Sequence, residues 1–483
     1  MRSIAIIGSG IAGLLTAHGL VRAGYSVTLY SDRTAEQWLH ESTPTGTAGR
    51  FEGALSYERE LGLHYWEHLA PRTTGLHAVF SLTPPNRLLN LTGRIDGAFL
   101  SIDVRLQSHR WMHDLTARGG RIVIEPVTVA RLDEIAAEHD LTIVAVGKSD
   151  LCKLFERDAA RSVYDRPQRH VAMLITRKRS ATRRPALAPV DVPDQDRFGL
   201  RKDEGSADMR LPGMHFVAAK FNALGPLGET LFSPFYHKDT GESWNLIIEA
   251  KPGSAMDVFL DVKSGEEALS RFQRLFREHV PWDADFVSDM VLCDPRAWLS
   301  GAFAPTVRRP VGRLPSGRLV TAVGDAAMAF DPIGGQGANN GTKMARHLVS
   351  SIVARGDRPF DAEWMTGTFD AFFAEHGSPA YTFNNLLLEP PSAPAQELLI
   401  AQYGSDGHPS GARQKLADIF SRNFEDPRRF TTDLLDIAST RRLIARTSGA
   451  PWWRAAVRGR LGIAKGQLRQ KLGLHPGHPL EVT

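Results

Sequence analysis

The sequence predicts an α/β protein in which a nucleotide-binding domain is interleaved with a β-sheet domain and followed by C-terminal helices. Three observations lead there. A short β-branched strand runs straight into a glycine-rich loop at residues 8–13. A second strand, glycine turn and helix recur near residues 319–352. Between them lie aromatic-rich segments that alternate as strands do.

The first element is Arg2–Ile7, which ends at Gly8-Ser9-Gly10-Ile11-Ala12-Gly13. A helical pattern follows through Leu14, Leu15, Ala17, His18, Val21 and Arg22, and Tyr25–Tyr30 reads as the next strand. This order is the context a dinucleotide fingerprint requires. Gly8 allows the tight turn, Gly10 lets backbone approach a pyrophosphate, and Gly13 lets helix pack on strand. The helix start then offers unpaired N–H groups, Ile11 and Ala12 among them, and a positive dipole end to phosphates. The ribose-binding acid that normally closes the second strand is replaced by Ser31, with Asp32 and Arg33 following. Asp32 reads equally as a ribose ligand or as a turn residue.

Further along, Asp103-Val104-Arg105-Leu106 opens a helix marked by Ser108, Trp111, Met112 and Leu115, ahead of the strand Arg121–Ile124. Leu141–Val146 with Gly147 forms another strand ending in a small-residue turn. The decisive element comes later. Leu319–Val323 runs into Gly324-Asp325, then Asp331-Pro332-Ile333-Gly334-Gly335-Gln336-Gly337-Ala338-Asn339, then a helix with Met344, Leu348 and Ile352 at spacings of four. Asp325 at a strand end suits a ribityl hydroxyl. The Gly334–Gly337 stretch suits backbone N–H groups laid close to a flat ring, with a helix dipole favouring negative charge there. An NAD enzyme needs no such second glycine site, so the pair of motifs points to FAD and to a flavin-dependent oxidoreductase. Pro332, Gly334, Gly335, Gln336, Gly337 and Asn339 form the expected ring environment.

Between the motifs, His170–Thr176, Met214–Lys220, Glu229–Tyr236 and Trp244–Ala250 read as strands of the substrate side. Candidates for an apolar pocket are Phe232, Phe235, Trp244 and Phe303, each of which also reads as plain core. Residues 177–208 are basic and then proline-rich, the signature of an exposed hairpin excursion. The seventeen histidines show no ligand spacing. His64 and His68, four apart on an expected helix, read as a surface pair, and no metal is expected.

Composition narrows the setting. Hydrophobic residues make up 42% and charged residues 23% of 483, as in ordinary globular chains. No apolar run reaches the roughly 18 residues that span a bilayer, and the start is not a signal peptide. Two distant cysteines, Cys152 and Cys293, suit a reducing cytoplasm. The net charge of +4 comes from the tail: residues 441–480 hold nine Lys/Arg and no acid, which leaves 49 basic against 54 acidic residues elsewhere. A nucleic-acid-binding body is therefore not expected. The tail reads as one or two short amphipathic helices, either packing on the body or docking to an acidic partner: a flavin reductase, a carrier-tethered substrate or anionic lipid.

With these segments placed, the chain resembles the styrene/indole monooxygenase family of two-component FAD enzymes. The resemblance rests on GSGIAG with VTLYSDR, SIDVRLQ followed by TARGG, IVAVGKSDLCKLFERD, and AVGDAAMAFDPIGGQGAN, and extends through Arg422-Asn423-Phe424 to about residue 448. It implies a fold like that of para-hydroxybenzoate hydroxylase: a Rossmann-type FAD-binding domain (1–162 and 305–355) interleaved with a β-sheet substrate domain (163–304), C-terminal helices (356–448) and the basic tail (449–483). It implies that Arg105 approaches the FAD phosphates or ribityl chain, and that Arg308 and Pro310 lie near the ring. The single-component relatives carry an Asp-Gly pair after the middle strand, where this chain reads Val146-Gly147-Lys148-Ser149-Asp150. The halogenase signature Trp-x-Trp-x-Ile-Pro does not occur either.

The implied chemistry is oxygenation of an alkene, indole or related aromatic through a flavin C4a-hydroperoxide. Reduced FAD is then a co-substrate with O2, delivered by an NAD(P)H:flavin reductase. A single-component NAD(P)H-dependent hydroxylase and a non-catalytic flavin-binding protein stand as alternatives, and a homodimer is one assembly open to the chain. Residues 45–52, including Arg50 and Phe51, occupy the segment that lines the styrene-binding side in family members. Their charge suggests a larger or more polar substrate, such as an indole-containing natural product.

Overall fold

In the computed structural model, residues 2–46, 49–147, 150–179, 209–211, 214–408, 411–430 and 434–474 are described. They divide into two compact units. One holds residues 1–65, 103–167 and 303–384; the other holds 66–102, 168–302 and 385–483.

The first unit is built on a sheet ordered Val311–Arg313, Leu319–Ala322, Leu141–Val144, Ser3–Ile7, Ser26–Ser31, Arg121–Ile124. All neighbours are parallel except the hairpin at the Val311–Arg313 edge. Ser3–Ile7 lies between Ser26–Ser31 and Leu141–Val144, with Ile4 opposite Val27 on one side and Leu141 on the other. Both central strands are buried almost throughout, which explains their unbroken apolar sequence. The chain order reverses between Ser3–Ile7 and Leu141–Val144. Ligands of such sheets bind at the carboxyl ends of the strands at this point, and Gly8 and Ala145 stand there.

Helix Ile11–Arg22 crosses back along the sheet and packs against helix Gln336–Arg355. Its buried polar residues are Thr16, whose hydroxyl donates to the Ala12 carbonyl at 2.7 Å, and His18. Its Nε2 bonds the Trp111 carbonyl at 2.9 Å and its Nδ1 meets the Arg118 guanidinium at 3.3 Å. Burial lowers its pKa to about 4, so it serves as a neutral core residue.

The second unit carries a larger sheet ordered Met290–Leu292, His170–Lys178, Gly241–Ala250, Gly228–His237, Ala218–Ala223, Thr73–Phe80, Leu89–Ser101, with Trp298–Ala302 also pairing His170–Lys178. In the Gly228–His237 and Gly241–Ala250 ladder, Phe232 pairs with Leu246 and Pro234 with Trp244. These positions share the face that packs on helices Gly265–His279 and Pro281–Ser288, where Phe232 stacks on Phe286 with centroids 5.2 Å apart. The C-terminal helices Ala393–Ala401, Ala412–Glu425, Ile437–Ser448 and Trp452–Lys471 belong to this unit.

Several expectations shift. Residues 66–102 join the second unit, because Thr73–Phe80 pairs in parallel with Ala218–Ala223. That pairing spans some 140 residues and leaves no local trace in the sequence. The strand expected at Met214–Lys220 begins at Ala218. His64 lies in an irregular stretch and His68 in a turn, neither on a helix. Most of the basic, proline-rich excursion, from residue 180 to 208, falls outside the described residues. The tail forms one 20-residue helix, Trp452–Lys471.

Candidate functional site

Two glycine segments more than 300 residues apart meet in the first unit. Gly8 has φ +114, and a Cβ there would sit 2.8 Å from the Ala145 carbonyl oxygen. A Cβ on Gly13 would lie 2.0 Å from Gly8 O. Both positions are closed to any side chain. Gly10 differs: a Cβ there would meet nothing within 4 Å. It is the N-cap of helix Ile11–Arg22, with no side-chain cap and no acid in the first turn. The first N–H groups of that helix therefore face open space, as a pyrophosphate requires.

The second segment shows the same division. Gly324, at φ +66, would place a Cβ 2.9 Å from Ala12 Cβ, so the Gly-Asp turn lies directly against the first loop. Asp325 is exposed between buried neighbours, and its carboxylate is 3.2 Å from where a Gly147 side chain would begin. Arg308 braces this turn, its guanidinium donating to the Asp325 carbonyl at 2.9 Å. Beyond it, Asp331 caps the Pro332–Gly334 turn and Gly335 takes φ +63. Helix Gln336–Arg355 then begins without a side-chain cap or an acid in its first turn. At Gly337 a Cβ would again meet nothing within 4 Å.

Side-chain amides hold the second segment. Asn384 Oδ1 accepts from Gly334 N at 3.0 Å, and Gln336 Nε2 donates to Gly334 O at 2.8 Å. Asn339 accepts from Phe51 N at 2.8 Å and donates to Gly49 O at 2.9 Å and Gly335 O at 2.7 Å. It therefore ties the short strand Gly49–Arg50 to the glycine turn. Asn340 Oδ1 and Asn384 Nδ2 are buried without a hydrogen-bond partner. Both are polar atoms left for a ligand or water to satisfy.

The remaining expected residues have definite places. The Ser31 hydroxyl bonds Ser9 Oγ at 2.7 Å and the Arg33 carbonyl at 2.6 Å, while Asp32 pairs with Arg33 at 2.6 Å. Arg33 also donates to Ser42 Oγ at 2.9 Å and lies over the Trp38 ring. Arg105 is fully buried; it pairs with Asp103 at 2.8 Å and reaches the Ser42 carbonyl at 3.4 Å. Arg50 is likewise fully buried, ion-paired with Glu58. Burial pushes the Glu58 carboxyl up, and the Arg50 guanidinium opposes that shift.

Comparison with known proteins agrees with this geometry. A family model for the substrate-binding domain of styrene monooxygenase A matches residues 147–192 and 208–285, and a Rossmann-like NAD(P)-binding model matches residues 6–35. The styrene monooxygenase StyA of Pseudomonas fluorescens is 24% identical over 449 residues, which cover 89% of this chain and 94% of that protein. Over nearly its whole length the chain is thus similar to styrene monooxygenases. It is a flavin-dependent monooxygenase. Among solved structures, a flavoprotein/dehydrogenase from Cytophaga hutchinsonii shares the fold at a TM-score of 0.56 and 10% identity, covering 92% of this chain and 99% of that one. A flavin-dependent brominase does so at 0.54 and 13%, covering 97% and 99%.

On the substrate side, the structure separates the aromatic candidates. Phe232 and Trp244 lie in the core between sheet and helices with Phe272 and Phe276. Phe235 lies on the opposite face of the same ladder, packed with Ile175 and Ala297. That face also carries buried Glu229, Ser233, Asn245 and Glu249. Phe303 is half-buried in the first unit.

The sequence reading also missed a histidine cluster. His109 and His113, four apart on helix Val104–Ala117, face Glu36 at 2.9 and 3.8 Å, and His40 lies 3.4 Å from the same carboxylate. The i, i+4 spacings were visible in each helix separately, but their packing together was not. His237, Asp239 and Asp294 form a second group with ligand atoms within reach of one ion.

Proposed function

We propose that the chain is the oxygenase component of a two-component system. It takes reduced FAD from a separate NAD(P)H:flavin reductase and inserts one atom of O2 into an alkene, indole or related aromatic substrate. The observation that carries this reading is the joined cradle. Gly10 and Gly337 leave open backbone beside two uncapped helix starts, and Ala12 against Gly324 fixes those starts in one site. A single long cofactor with phosphates at one end and a ring at the other matches it; a nicotinamide nucleotide alone would use only the first half.

Bound flavin supplies the activation of dioxygen. The chain's own residues do the rest. Backbone N–H groups after Gly10 hold the pyrophosphate, and Asp325 accepts from a ribityl hydroxyl. The turn from Pro332 to Ala338 presents N–H groups and a positive helix end to the ring, where reduced flavin carries negative charge. Gly147, opposite Asp325, keeps that passage clear. Arg105 holds the capped start of its helix through Asp103, and Ser31, Asp32 and Arg33 bound the adenosine end. Asn339 positions Arg50 and Phe51 relative to the ring turn.

For the substrate we assign the ladder face that bears Phe235, Ser233 and Asn245, where apolar Phe235 and Ile247 stand among several buried polar groups that can fix a substrate's orientation. Those polar groups favour a substrate more polar than styrene, with indole compounds the leading class. Free Cys152 and Cys293 suit a cytoplasmic setting.

The test supplies chemically reduced FAD anaerobically and then 18O2 with indole. One 18O atom in the product, without any NAD(P)H, supports the reading. Bleaching of protein-bound FAD by NADPH alone would instead identify a single-component hydroxylase. Faster turnover of styrene than of indole compounds would overturn the substrate assignment.

A further inference from the structure

The tail helix Trp452–Lys471 has two faces of opposite character. Its inner face is made of small residues. Ala455, Ala456 and Gly459 are buried, a Cβ on Gly459 would lie 1.9 Å from the Ile400 carbonyl oxygen, and one on Gly462 would lie 2.3 Å from the Tyr403 ring. These residues let the helix lie directly against Ala393–Ala401, with half-buried Trp452 and Ile463 on the same side, and the exposed large apolar side chains take no part in this contact.

Those side chains point the other way. Trp453, Val457, Leu461, Leu468 and Leu472 are 50, 45, 67, 58 and 65% exposed. Their spacings of four, four, seven and four place them in one arc of roughly 100° on an α-helix. At the same angular step, Arg454, Arg458, Lys465 and Arg469 border the arc on one side, with Arg460 and Lys471 on the other. Glu397 lies 3.9 Å from Arg460 on the body side, and residues 441–480 contain no acid of their own.

An unbroken apolar row of this length on the outside of a folded unit calls for a cover. A second copy of the same helix would set cation against cation. A flat anionic surface suits every group: the apolar row enters the acyl boundary, Trp453 sits at the interface, and the flanking cations remain at phosphate level. Twenty residues make a straight rod of about 30 Å, which lies naturally in a plane.

We propose that Trp452–Lys471 is an interfacial anchor that docks the enzyme on an anionic lipid bilayer. Docking there brings the oxygenase to the phase in which apolar alkenes and aromatics concentrate; that consequence rests on the substrate class proposed above, whereas the anchoring does not.

The experiment is flotation of the full chain with phosphatidylglycerol/phosphatidylcholine vesicles and with pure phosphatidylcholine vesicles. The full chain should float with the anionic vesicles at roughly tenfold or greater preference over neutral ones, and less so as salt is raised. A triple variant, Leu461→Ser with Leu468→Ser and Leu472→Ser, should lower that partition by roughly tenfold or more. All three side chains are more than half exposed, so the variant should retain its melting temperature and its reaction with reduced FAD and O2. Absence of flotation by the full chain would overturn the proposal. So would flotation undiminished in the triple variant, which would reduce the contact to charge alone. Binding of the purified flavin reductase through these leucines, with vesicles left untouched, would replace the lipid by an acidic protein partner.

Discussion

The two glycine segments solve the same problem by different means. Residues 8–13 are shaped almost entirely by backbone: a left-handed Gly8, a Gly13 against Gly8 O, and a parallel strand on each side. Residues 332–339 are shaped by side chains from elsewhere, with Asn384 holding Gly334 and Asn339 bridging Gly335 to Gly49 and Phe51. The first is a local structure that a short sequence specifies. The second depends on partners brought in by the fold, so it should fail through substitutions at residues that never touch a cofactor.

The largest such effect is expected at Arg50. Replacing it with leucine leaves the Glu58 carboxylate buried without its counter-charge, and breaking a buried pair in this way costs about 3–5 kcal/mol. Urea unfolding of Arg50→Leu should show that loss, and Glu58→Gln in the same background should recover much of it. If Arg50→Leu unfolds like the parent chain, the second segment does not depend on its distant supports as argued.

His18 tests the side of the first segment. Its folded-state pKa of about 4 lies below the ordinary 6.5. The unfolded chain therefore binds a proton that the folded chain refuses. The stabilisation is complete above pH 6.5 and is lost as pH falls towards 4, by about 3 kcal/mol in all. Urea midpoints at pH 7 and pH 4.5 should show this slope, and His18→Gln should flatten it. A smaller loss, about 1–3 kcal/mol, is expected from Asn339→Ala, which strands Phe51 N and the Gly49 and Gly335 carbonyls. Proteolysis near residue 50 should accelerate with it.

This contrast also explains what could be read from sequence. The strand Ser3–Ile7, the glycine loop, its helix start and the following strand Ser26–Ser31 follow from period and turn chemistry within thirty residues. The roles of Asn339 and Asn384 do not, because an asparagine on a helix carries no mark of the carbonyls it will meet. Phe232 and Phe235 were equal as pocket candidates until the ladder register put them on opposite faces. The Glu36, His40, His109 and His113 group was hidden for the same reason, being two ordinary i, i+4 pairs that only packing unites. In the tail, charge and amphipathicity were legible, but which face the body uses was decided by Gly459 and Gly462.

The smallest effect on stability should be the most informative about the site. Gly10 has ordinary backbone geometry, and a Cβ would meet nothing within 4 Å; the same space is open at Gly337. Gly10→Ala and Gly337→Ala should therefore fold as the parent does, within about 1 kcal/mol, and an alanine inside helix Gln336–Arg355 should be neutral or slightly stabilising. If these openings exist for the cofactor, each methyl group occupies space meant for FAD, and affinity for reduced FAD should fall roughly tenfold or more, since 1.4 kcal/mol is a factor of ten. Gly13→Ala is the opposite control, because its Cβ would strike Gly8 O and the fold itself should suffer. Anaerobic titration with reduced FAD, beside thermal unfolding of the same proteins, separates the cases. Unchanged FAD affinity in both open-glycine variants would show that the cradle lies elsewhere, whereas loss at Gly337 alone would mean that the ring end, not the phosphate end, limits binding.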